Sequence, residues 1–238
     1  VQGGIPGEKL MPGIGACSLT ETVELLSCLG DAGVGGALLL PPFYYKEPVV
    51  NDDGLFQFVA EVMRRTEGVA TKIYLYHIPP VAHIGWSVEL VGRILDAYPD
   101  RVVGLKDSSG DWNNTKALIQ AYPDLDVFPG SEVFLLDALR IGGAGCITAT
   151  GNLNPVGIRS ICDASDDAAE SVQAAVTEVR LAVQNAGPPI PVMKSYLALK
   201  TGDSDWARVR PPLQPAHQDV AVDLDKALSK LDFRFELF

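Results

Sequence analysis

The chain alternates short apolar runs with amphipathic stretches, and this alternation limits its fold more than any other feature of the sequence. Each apolar run is short enough for a single buried strand, and each is followed by a stretch with apolar residues at helical spacing. The runs lie at 9–14, 36–40, 72–77, 102–106, 125–129 and 144–149. This order is typical of parallel strands joined by crossover helices, so the sequence predicts an α/β fold with about six parallel strands.

Capping residues indicate where several helices begin. Ser18 and Glu21 form an S-x-x-E capping box ahead of an apolar stripe, and Ser87 is the expected N-cap of a later helix. After residue 166 the strand signals stop, and only amphipathic segments typical of helices follow. Beyond the helix after Ser18, the predicted helices span 53–66, 87–98, 112–122, 131–141, 154–163, 166–186, 189–201 and 216–231.

The composition argues against several kinds of partner. A formal net charge of −11 repels nucleic acid and anionic lipid surfaces. No apolar run approaches the roughly 20 residues that a membrane helix needs, and the N-terminus lacks the basic-then-apolar pattern of an export signal. The cysteines, at positions 17, 28, 146 and 162, are far apart and form no C-x-x-C pair. This pattern indicates reduced thiols rather than disulfides or a zinc site. We therefore expect a cytoplasmic protein without nucleic-acid or membrane partners.

The sequence also lacks motifs for metals and nucleotides. His77, His83 and His217 do not have the spacing of metal ligands, so each is expected to be a structural or surface residue. The glycines match neither G-x-G-x-x-G nor the phosphate-binding pattern G-x-x-x-x-G-K-[ST]. A doubly wound nucleotide-binding protein is therefore weakly supported.

Lys106 has an unusual place in the sequence, because it ends the apolar run at 102–105. Functional residues of parallel folds collect where strands end. Burial disfavours an ammonium ion, so a lysine at such a position can present the neutral amine that attacks a carbonyl. The run alone fits equally well a lysine paired with the adjacent Asp107 at the strand exit.

Tyr76 ends the preceding predicted strand, at the start of the sequence Y-H-I-P-P. A phenol both donates and accepts hydrogen bonds, so it could carry a proton between a carbinolamine and the amine of Lys106. Without the lysine, a rim aromatic packed on Pro79 is the better interpretation. Tyr44, which follows an earlier strand, has the same two interpretations.

The order of these motifs resembles the dihydrodipicolinate synthase/N-acetylneuraminate lyase family of pyruvate-dependent class I aldolases. The resemblance covers nearly the whole chain and implies a (β/α)8 TIM barrel, here incomplete. Residues 1–165 would form the partial barrel, and residues 166–238 a C-terminal helical extension packed on it. The matching motifs are L-P-P-F-Y-Y-K at 40–46, Y-H-I-P-P at 76–80, V-V-G-L-K-D-S-S-G-D at 102–111, F-P-G-S-E at 128–132, G-G-A-G-C-I-T-A-T-G-N at 142–152 and R-P-P-L at 210–213.

The resemblance implies roles for three catalytic residues. Lys106 would be the Schiff-base lysine, and Tyr76 would be the tyrosine that relays protons. Tyr44 matches a tyrosine that reaches the site of a neighbouring subunit, which implies a homo-oligomer, either a dimer or a tetramer built from tight dimers. No metal or organic cofactor is required by this chemistry.

The resemblance also implies roles on the substrate side of the site. Gly130 and Ile147 match positions that line the pyruvate pocket. Ser108 matches a position that often contacts the variable part of the substrate. The substrates would be a 2-oxo acid, such as pyruvate, and an aldehyde.

The sequence departs from the family pattern at two places. It contains counterparts of only the third to eighth barrel strands, and it lacks the G-[TS]-[TS]-G-E loop that holds the pyruvate carboxylate in the family. Gly4 to Glu8 read G-I-P-G-E without the hydroxyl pair, and are expected to be the connection before the first strand. Val81 stands where dihydrodipicolinate synthases place an arginine for the carboxylate of the second substrate, which argues against activity in lysine biosynthesis.

Two functions from different classes therefore follow from the sequence. The first is a lyase whose Lys106 forms a Schiff base with a 2-oxo acid and makes or breaks a carbon–carbon bond with an aldehyde. The alternative is a non-catalytic binding or assembly protein, or an inactive gene fragment. This alternative is suggested by the missing carboxylate loop and by an open barrel, whose unpaired strand edges would favour association.

Overall fold

The sheet consists of parallel strands that come from the most apolar runs of the sequence. The structure is a computed structural model that describes residues 1–236, except for the side chain of Gln218. Its strands pair in chain order and are all parallel to their neighbours. The α/β fold with parallel strands is therefore confirmed. The strands are β1 (Gly36–Leu39), β2 (Lys72–His77), β3 (Val102–Asp107) and β4 (Asp126–Pro129).

The six-stranded incomplete barrel expected from the sequence is not confirmed, because residues 1–236 contain only these four strands. The run at 9–14 makes a single bridge, between Gly13 and Leu38, and it includes Pro12, which has no N–H for a ladder. Glycines with positive φ lie just before the run at 144–149 and within it. Gly142 has a φ of 101° and Gly145 one of 146°, so the backbone leaves the extended conformation there.

Residues 1–236 divide into two compact units. The first contains residues 1–130 and 141–144, and so includes the whole sheet. The second contains residues 131–140 and the chain from 145 onward. The organisation expected from the sequence, a partial barrel at 1–165 and a helical extension at 166–238, stays a prediction, and residues 237 and 238 lie outside the described chain.

In the first unit the helices begin where the capping residues indicate. The Ser18 hydroxyl accepts a hydrogen bond from the Glu21 N–H, and the Ser87 hydroxyl accepts one from the Leu90 N–H. A short 3-10 turn at Gly7–Lys9 precedes the bridge at Gly13. The helices are α1 (Leu19–Asp31), α2 (Asp52–Arg65), α3 (Pro79–Ala82), α4 (Val88–Ala97) and α5 (Trp112–Ala121).

Side chains alternate between the two faces of this sheet. One face carries aliphatic residues that are completely excluded from solvent, namely Ile73, Leu75, Leu105 and Val127. Burying each such side chain stabilises the fold by about 1.5–3 kcal/mol. The other face is only half-buried and carries polar and aromatic residues, namely Tyr74, Tyr76, Lys106 and Phe128. The chemistry of the first unit therefore lies on this second face.

The second unit is helical. Its helices bury two apolar clusters, one centred on Leu136, Ile158 and Val176, the other on Val183 and Tyr196. Among residues 1–236, no helix has both the length and the apolar character to cross a bilayer. The helices are α6 (Leu135–Arg140), α7 (Pro155–Asp163), α8 (Asp166–Asn185), α9 (Pro189–Thr201) and α10 (Gln218–Ser229), with 3-10 turns at Glu132–Phe134, Ala149–Asn152 and Ser204–Ala207.

Candidate active site

Strand register brings Lys106 and Tyr76 together. Tyr76 of β2 is the direct partner of Lys106 of β3, and Lys106 is the direct partner of Phe128 of β4. Partners in a parallel pair point to the same face of the sheet. The Lys106 Nζ lies 4.3 Å from the centroid of the Tyr76 ring. The two residues expected to carry the chemistry are thus in contact on the half-buried face.

An aromatic layer, formed by Tyr74 and Phe128, lines the same face of the sheet. Their ring centroids are 6.2 Å apart. The Tyr74 ring occupies the space above Gly104, since a Cβ at this glycine would lie 2.3 Å from the Tyr74 Cδ1. Burial, reinforced by the charge of Asp126, raises the pKa of the Tyr74 phenol. The layer therefore stays uncharged, with Tyr74 two residues before Tyr76 on β2 and Phe128 directly beside Lys106 in the ladder.

Asp107 does not pair with Lys106, because neighbouring residues of a strand point to opposite faces. Its buried carboxylate accepts hydrogen bonds from three donors, one in the loop after β3 and two in α5. These are the Ser109 N–H at 2.9 Å, the Asn114 Nδ2 at 3.0 Å and the Thr115 Oγ1 at 2.6 Å. Asp107 thus joins the end of β3 to the start of α5, while the Lys106 side chain lies on the other face of the sheet.

His77 has a structural environment on the same side of the sheet as Asp107. Its buried Nδ1 accepts a hydrogen bond of 3.0 Å from the Trp86 N–H. Burial lowers the pKa of His77, and the charge of Asp107 opposes this shift. The neutral imidazole therefore joins the end of β2 to the segment that leads into α4.

Ser108 and Gly130 meet just beyond the ends of β3 and β4. The Ser108 N–H donates to the His77 carbonyl at 2.7 Å, and the Gly130 N–H donates to the Asp107 carbonyl at 2.6 Å. A Cβ on Gly130 would lie 2.1 Å from the Ser108 Oγ, so glycine is required for this approach. The sequence predicted both residues for substrate binding, and the structure brings them into contact with each other.

The structure places Tyr44 in an exposed connection. Tyr44 lies in the connection between β1 and α2, and 73% of it is exposed to solvent. Its ring packs edge-to-face on Tyr45, with the centroids 5.2 Å apart. Tyr44 is thus an outward-facing aromatic in this single chain.

Ile147 belongs to the second unit, in the irregular segment between α6 and the turn at Ala149–Asn152. Next to it, Thr148 and Thr150 donate hydrogen bonds to the buried carboxylate of Glu132, and Arg180 of α8 pairs with the same carboxylate at 3.3 Å. Glu132 ends the F-P-G-S-E motif but was not among the residues predicted from the sequence. A carboxylate next to the apolar run at Val133–Leu136 was the available signal.

The arrangement around Lys106 contains the groups that amine chemistry needs. It has a half-buried amine, an adjacent phenol and an apolar wall. Among the side chains described in residues 1–236, no three histidine, cysteine, aspartate or glutamate residues are arranged to hold a metal ion.

Comparisons with known proteins identify the family. The sequence model of the dihydrodipicolinate synthetase family matches residues 4–231. An uncharacterized DapA-like lyase of Chloroflexus aurantiacus is 32% identical over 225 residues, which cover 94% of this chain and 74% of the relative. The 4-hydroxy-tetrahydrodipicolinate synthase of Thermus thermophilus is also 32% identical over 225 residues, covering 92% of this chain and 71% of that enzyme.

Solved structures agree with the sequence comparison. The crystal structure of dihydrodipicolinate synthase from Agrobacterium tumefaciens superposes with a TM-score of 0.88 at 31% identity, covering 98% of this chain and 78% of that one. N-acetylneuraminate lyase from Fusobacterium nucleatum, at 22% identity, shares the fold with a TM-score of 0.76, covering 92% and 73% of the two chains. The chain belongs to the dihydrodipicolinate synthase family, whose named members include lyases.

Proposed function

We propose that this chain is a class I aldolase in which Lys106 forms a Schiff base with pyruvate or another 2-oxo acid. The observation that carries the proposal is the position of the Lys106 amine, 4.3 Å from the centre of the Tyr76 ring on the half-buried face of the sheet. Membership of a family with named lyases supports this class of reaction.

The proposed reaction proceeds through a carbinolamine. The neutral Lys106 amine attacks the ketone carbon of the 2-oxo acid, and loss of water gives a protonated imine. This cation withdraws electrons, so a proton leaves the neighbouring carbon and an enamine forms. The enamine carbon then bonds to the carbonyl carbon of an aldehyde, and water releases the product from the lysine. Cleavage is the reverse sequence.

Tyr76 would assist this sequence in two ways. Its hydroxyl would carry the proton that leaves the amine to the departing hydroxide of the carbinolamine. Its ring face, which lies against the Lys106 nitrogen, would stabilise positive charge on that atom. The protonated imine carries such a charge, so the observed contact favours the reactive intermediate.

The remaining site residues are proposed from the family resemblance. Gly130 and Ile147 would line the pocket for the 2-oxo acid, and Ser108 would contact the variable part of the substrate. Val81 is 71% exposed and carries no charge, which favours an aldehyde that needs no carboxylate partner at this position. The 2-oxo acid and the aldehyde would be the only substrates.

We also propose that the chain forms a homo-oligomer, with Tyr44 at the contact between subunits. The exposure of Tyr44 and of the neighbouring Tyr45 and Val49 supports this proposal, because large apolar side chains exposed together commonly mark interaction sites. Sedimentation velocity tests it: a dimer or tetramer is expected, and a Tyr44→Asp substitution should shift the population toward monomers.

Reductive trapping tests the proposed chemistry. The folded chain is incubated with pyruvate and borohydride, and the modified residue is located by peptide mass spectrometry. We expect labelling at Lys106, no labelling in Lys106→Met, and unchanged labelling in Lys116→Met, which alters an exposed lysine of α5. A folded chain in which Lys106 is not labelled would refute the proposal.

A non-catalytic binding or assembly protein remains the second candidate, and one observation favours it. Among residues 1–236, the outer edge of β4 has no paired strand and accepts one backbone hydrogen bond, from the Ala144 N–H to the Val127 carbonyl. Exposed edges of this kind favour association. A stable oligomer that shows no trapping with any 2-oxo acid would support this candidate.

A further inference from the structure

A buried ionic network lies in the second unit, around Glu132. Only 1% of the Glu132 surface is exposed. Its carboxylate accepts hydrogen bonds from the Thr148 hydroxyl at 2.6 Å and from the Thr150 hydroxyl, and it pairs with Arg180 at 3.3 Å. The same Arg180 nitrogen lies 3.0 Å from the Thr148 hydroxyl oxygen and 3.2 Å from that of Thr150.

The partners of Glu132 come from two separate segments of the chain, the one that contains Thr148 and Thr150 and helix α8, which contains Arg180. A buried carboxylate is costly to desolvate, so it needs this complete set of partners to be tolerated. Such networks contribute little net stability when compared with an apolar replacement, and their best-supported use is to select one arrangement of the groups that they join. The arrangement selected here is that of the residues around Thr148.

The segment around Ile147 has no sheet ladder to hold it. The run at 144–149 does not form a strand, so side-chain contacts must fix its conformation. On one side of Ile147, Cys146 packs into the apolar cluster of Leu135 and Leu136. Burial, with a smaller contribution from the charge of Glu132, raises the pKa of the Cys146 thiol to about 12, so this anchor stays neutral. On the other side, Thr148 is bound to Glu132.

We propose that Glu132 is a positioning residue, which holds the segment around Ile147 in the conformation that binds the 2-oxo acid. The inference rests on the proposed function, since it assumes that Ile147 lines the substrate pocket. Glu132 itself has its carboxylate oxygens occupied by Thr148, Thr150 and Arg180, and acts only through the segment that they fix.

The test compares Glu132→Gln with Glu170→Gln. The control removes the partner of Arg140 in an exposed ion pair of the same unit. We measure how borohydride trapping depends on pyruvate concentration, and how fast the amides of 145–152 exchange with deuterium. We expect Glu132→Gln to raise the half-saturating concentration about tenfold, without changing maximal labelling, and to speed exchange in this segment. Glu170→Gln should change neither.

A second pair of variants covers the case in which Glu132→Gln does not fold. Thr148→Val removes one hydrogen bond to Glu132 with almost no change of shape, and Thr148→Ser keeps the hydroxyl. We expect the valine variant to raise the half-saturating concentration and the serine variant to restore the wild-type value. A purely structural role would lower stability in the valine variant without changing this concentration.

The outcomes separate the inference from the proposed function. Labelling of Lys106 with an unchanged half-saturating concentration in the folded Glu132 and Thr148→Val variants overturns the inference and leaves the aldolase proposal intact. Absence of labelling in the wild type refutes the aldolase proposal and removes the substrate-binding part of the inference. In that case, unchanged exchange of 145–152 in Glu132→Gln would also overturn the role of Glu132 in fixing the segment.

Discussion

Gly104 offers a sharp test of the aromatic layer beside Lys106. A Cβ added at Gly104 would lie 2.3 Å from the Cδ1 of Tyr74 and 2.8 Å from the carbonyl oxygen of Asp126. Contacts of a real Cβ do not fall below 3.0 Å, so Gly104→Ala forces a displacement. Asp126 is the direct partner of Gly104 in the β3–β4 ladder, which restrains its carbonyl. The Tyr74 ring must therefore move away from β3.

The size of the effect follows from two opposing contributions. Forcing an extra carbon into a packed core costs about 1–3 kcal/mol. Replacing glycine by alanine in extended backbone regains about 0.5–1 kcal/mol, because the unfolded chain loses freedom. The central values leave a net loss of about 1 kcal/mol in the free energy of unfolding.

Urea unfolding measures this loss as a lower midpoint with an unchanged dependence on denaturant. Gly68→Ala is the matched control, because a Cβ there meets no atom within 4 Å, and we expect it to be as stable as the wild type or more stable by up to about 1 kcal/mol. Gly104→Ala should also cost less in a Tyr74→Leu background, where the ring is absent. If Gly104→Ala is as stable as Gly68→Ala, the described packing of Tyr74 against β3 is wrong.

Three further predictions concern the residues around the strand ends. Tyr76→Phe keeps the ring beside the Lys106 amine but loses the hydroxyl that would relay the proton. The rate of Schiff-base formation with pyruvate, measured by stopped-flow or quenched trapping, should therefore fall about 10²–10⁴-fold. Tyr76→Leu also loses the ring and should react more slowly still. Because burial lowers the pKa of His77, the unfolded chain binds a proton that the native chain excludes. The free energy of unfolding should therefore keep its full value above about pH 6.5 and decrease as the pH falls below it. Urea unfolding should show a smaller decrease in His77→Asn. Thr115→Val removes a donor from the buried Asp107 carboxylate and should lower the free energy of unfolding by about 1.5–3 kcal/mol in the same assay.

Each of these predictions has its own control. Tyr76→Phe and Tyr76→Leu with equal rates would show that the ring contact contributes nothing. His217 is exposed at the start of α10, so His217→Asn should keep the wild-type loss of stability in acid. Thr115→Ser keeps the hydroxyl and should recover most of the stability that Thr115→Val loses. A valine variant as stable as the serine variant would contradict the assigned hydrogen bond.

The sequence was a good guide to elements whose signals are local. The helix after Ser18 and the helix after Ser87 begin at their capping residues, because a cap is an interaction over three residues. The four central strands coincide with their apolar runs, since burial alone selects such runs. The runs at 9–14 and 144–149 also predicted strands but did not form them. Strand formation also requires a neighbour in register, and apolar composition carries no information about that.

The candidate site was predictable to the extent that strand ends meet at one edge of a parallel sheet. This rule is sufficient to select Lys106 and Tyr76 as neighbours. It does not determine that the amine faces the ring of Tyr76, because that contact depends on side-chain torsions.

Glu132 illustrates the opposite limit of sequence reasoning. Its partner Arg180 is 48 positions away, and no periodic or local pattern connects the two residues. A charged residue beside an apolar run reads equally well as a helix-start carboxylate, which the chain uses elsewhere at Asp52 and Asp166. Burial distinguishes the cases, because only a carboxylate excluded from water requires an arginine and two hydroxyls. The residues that hold a site in place are thus harder to find from sequence than those that react, since the former are defined by their partners and the latter by their own chemistry.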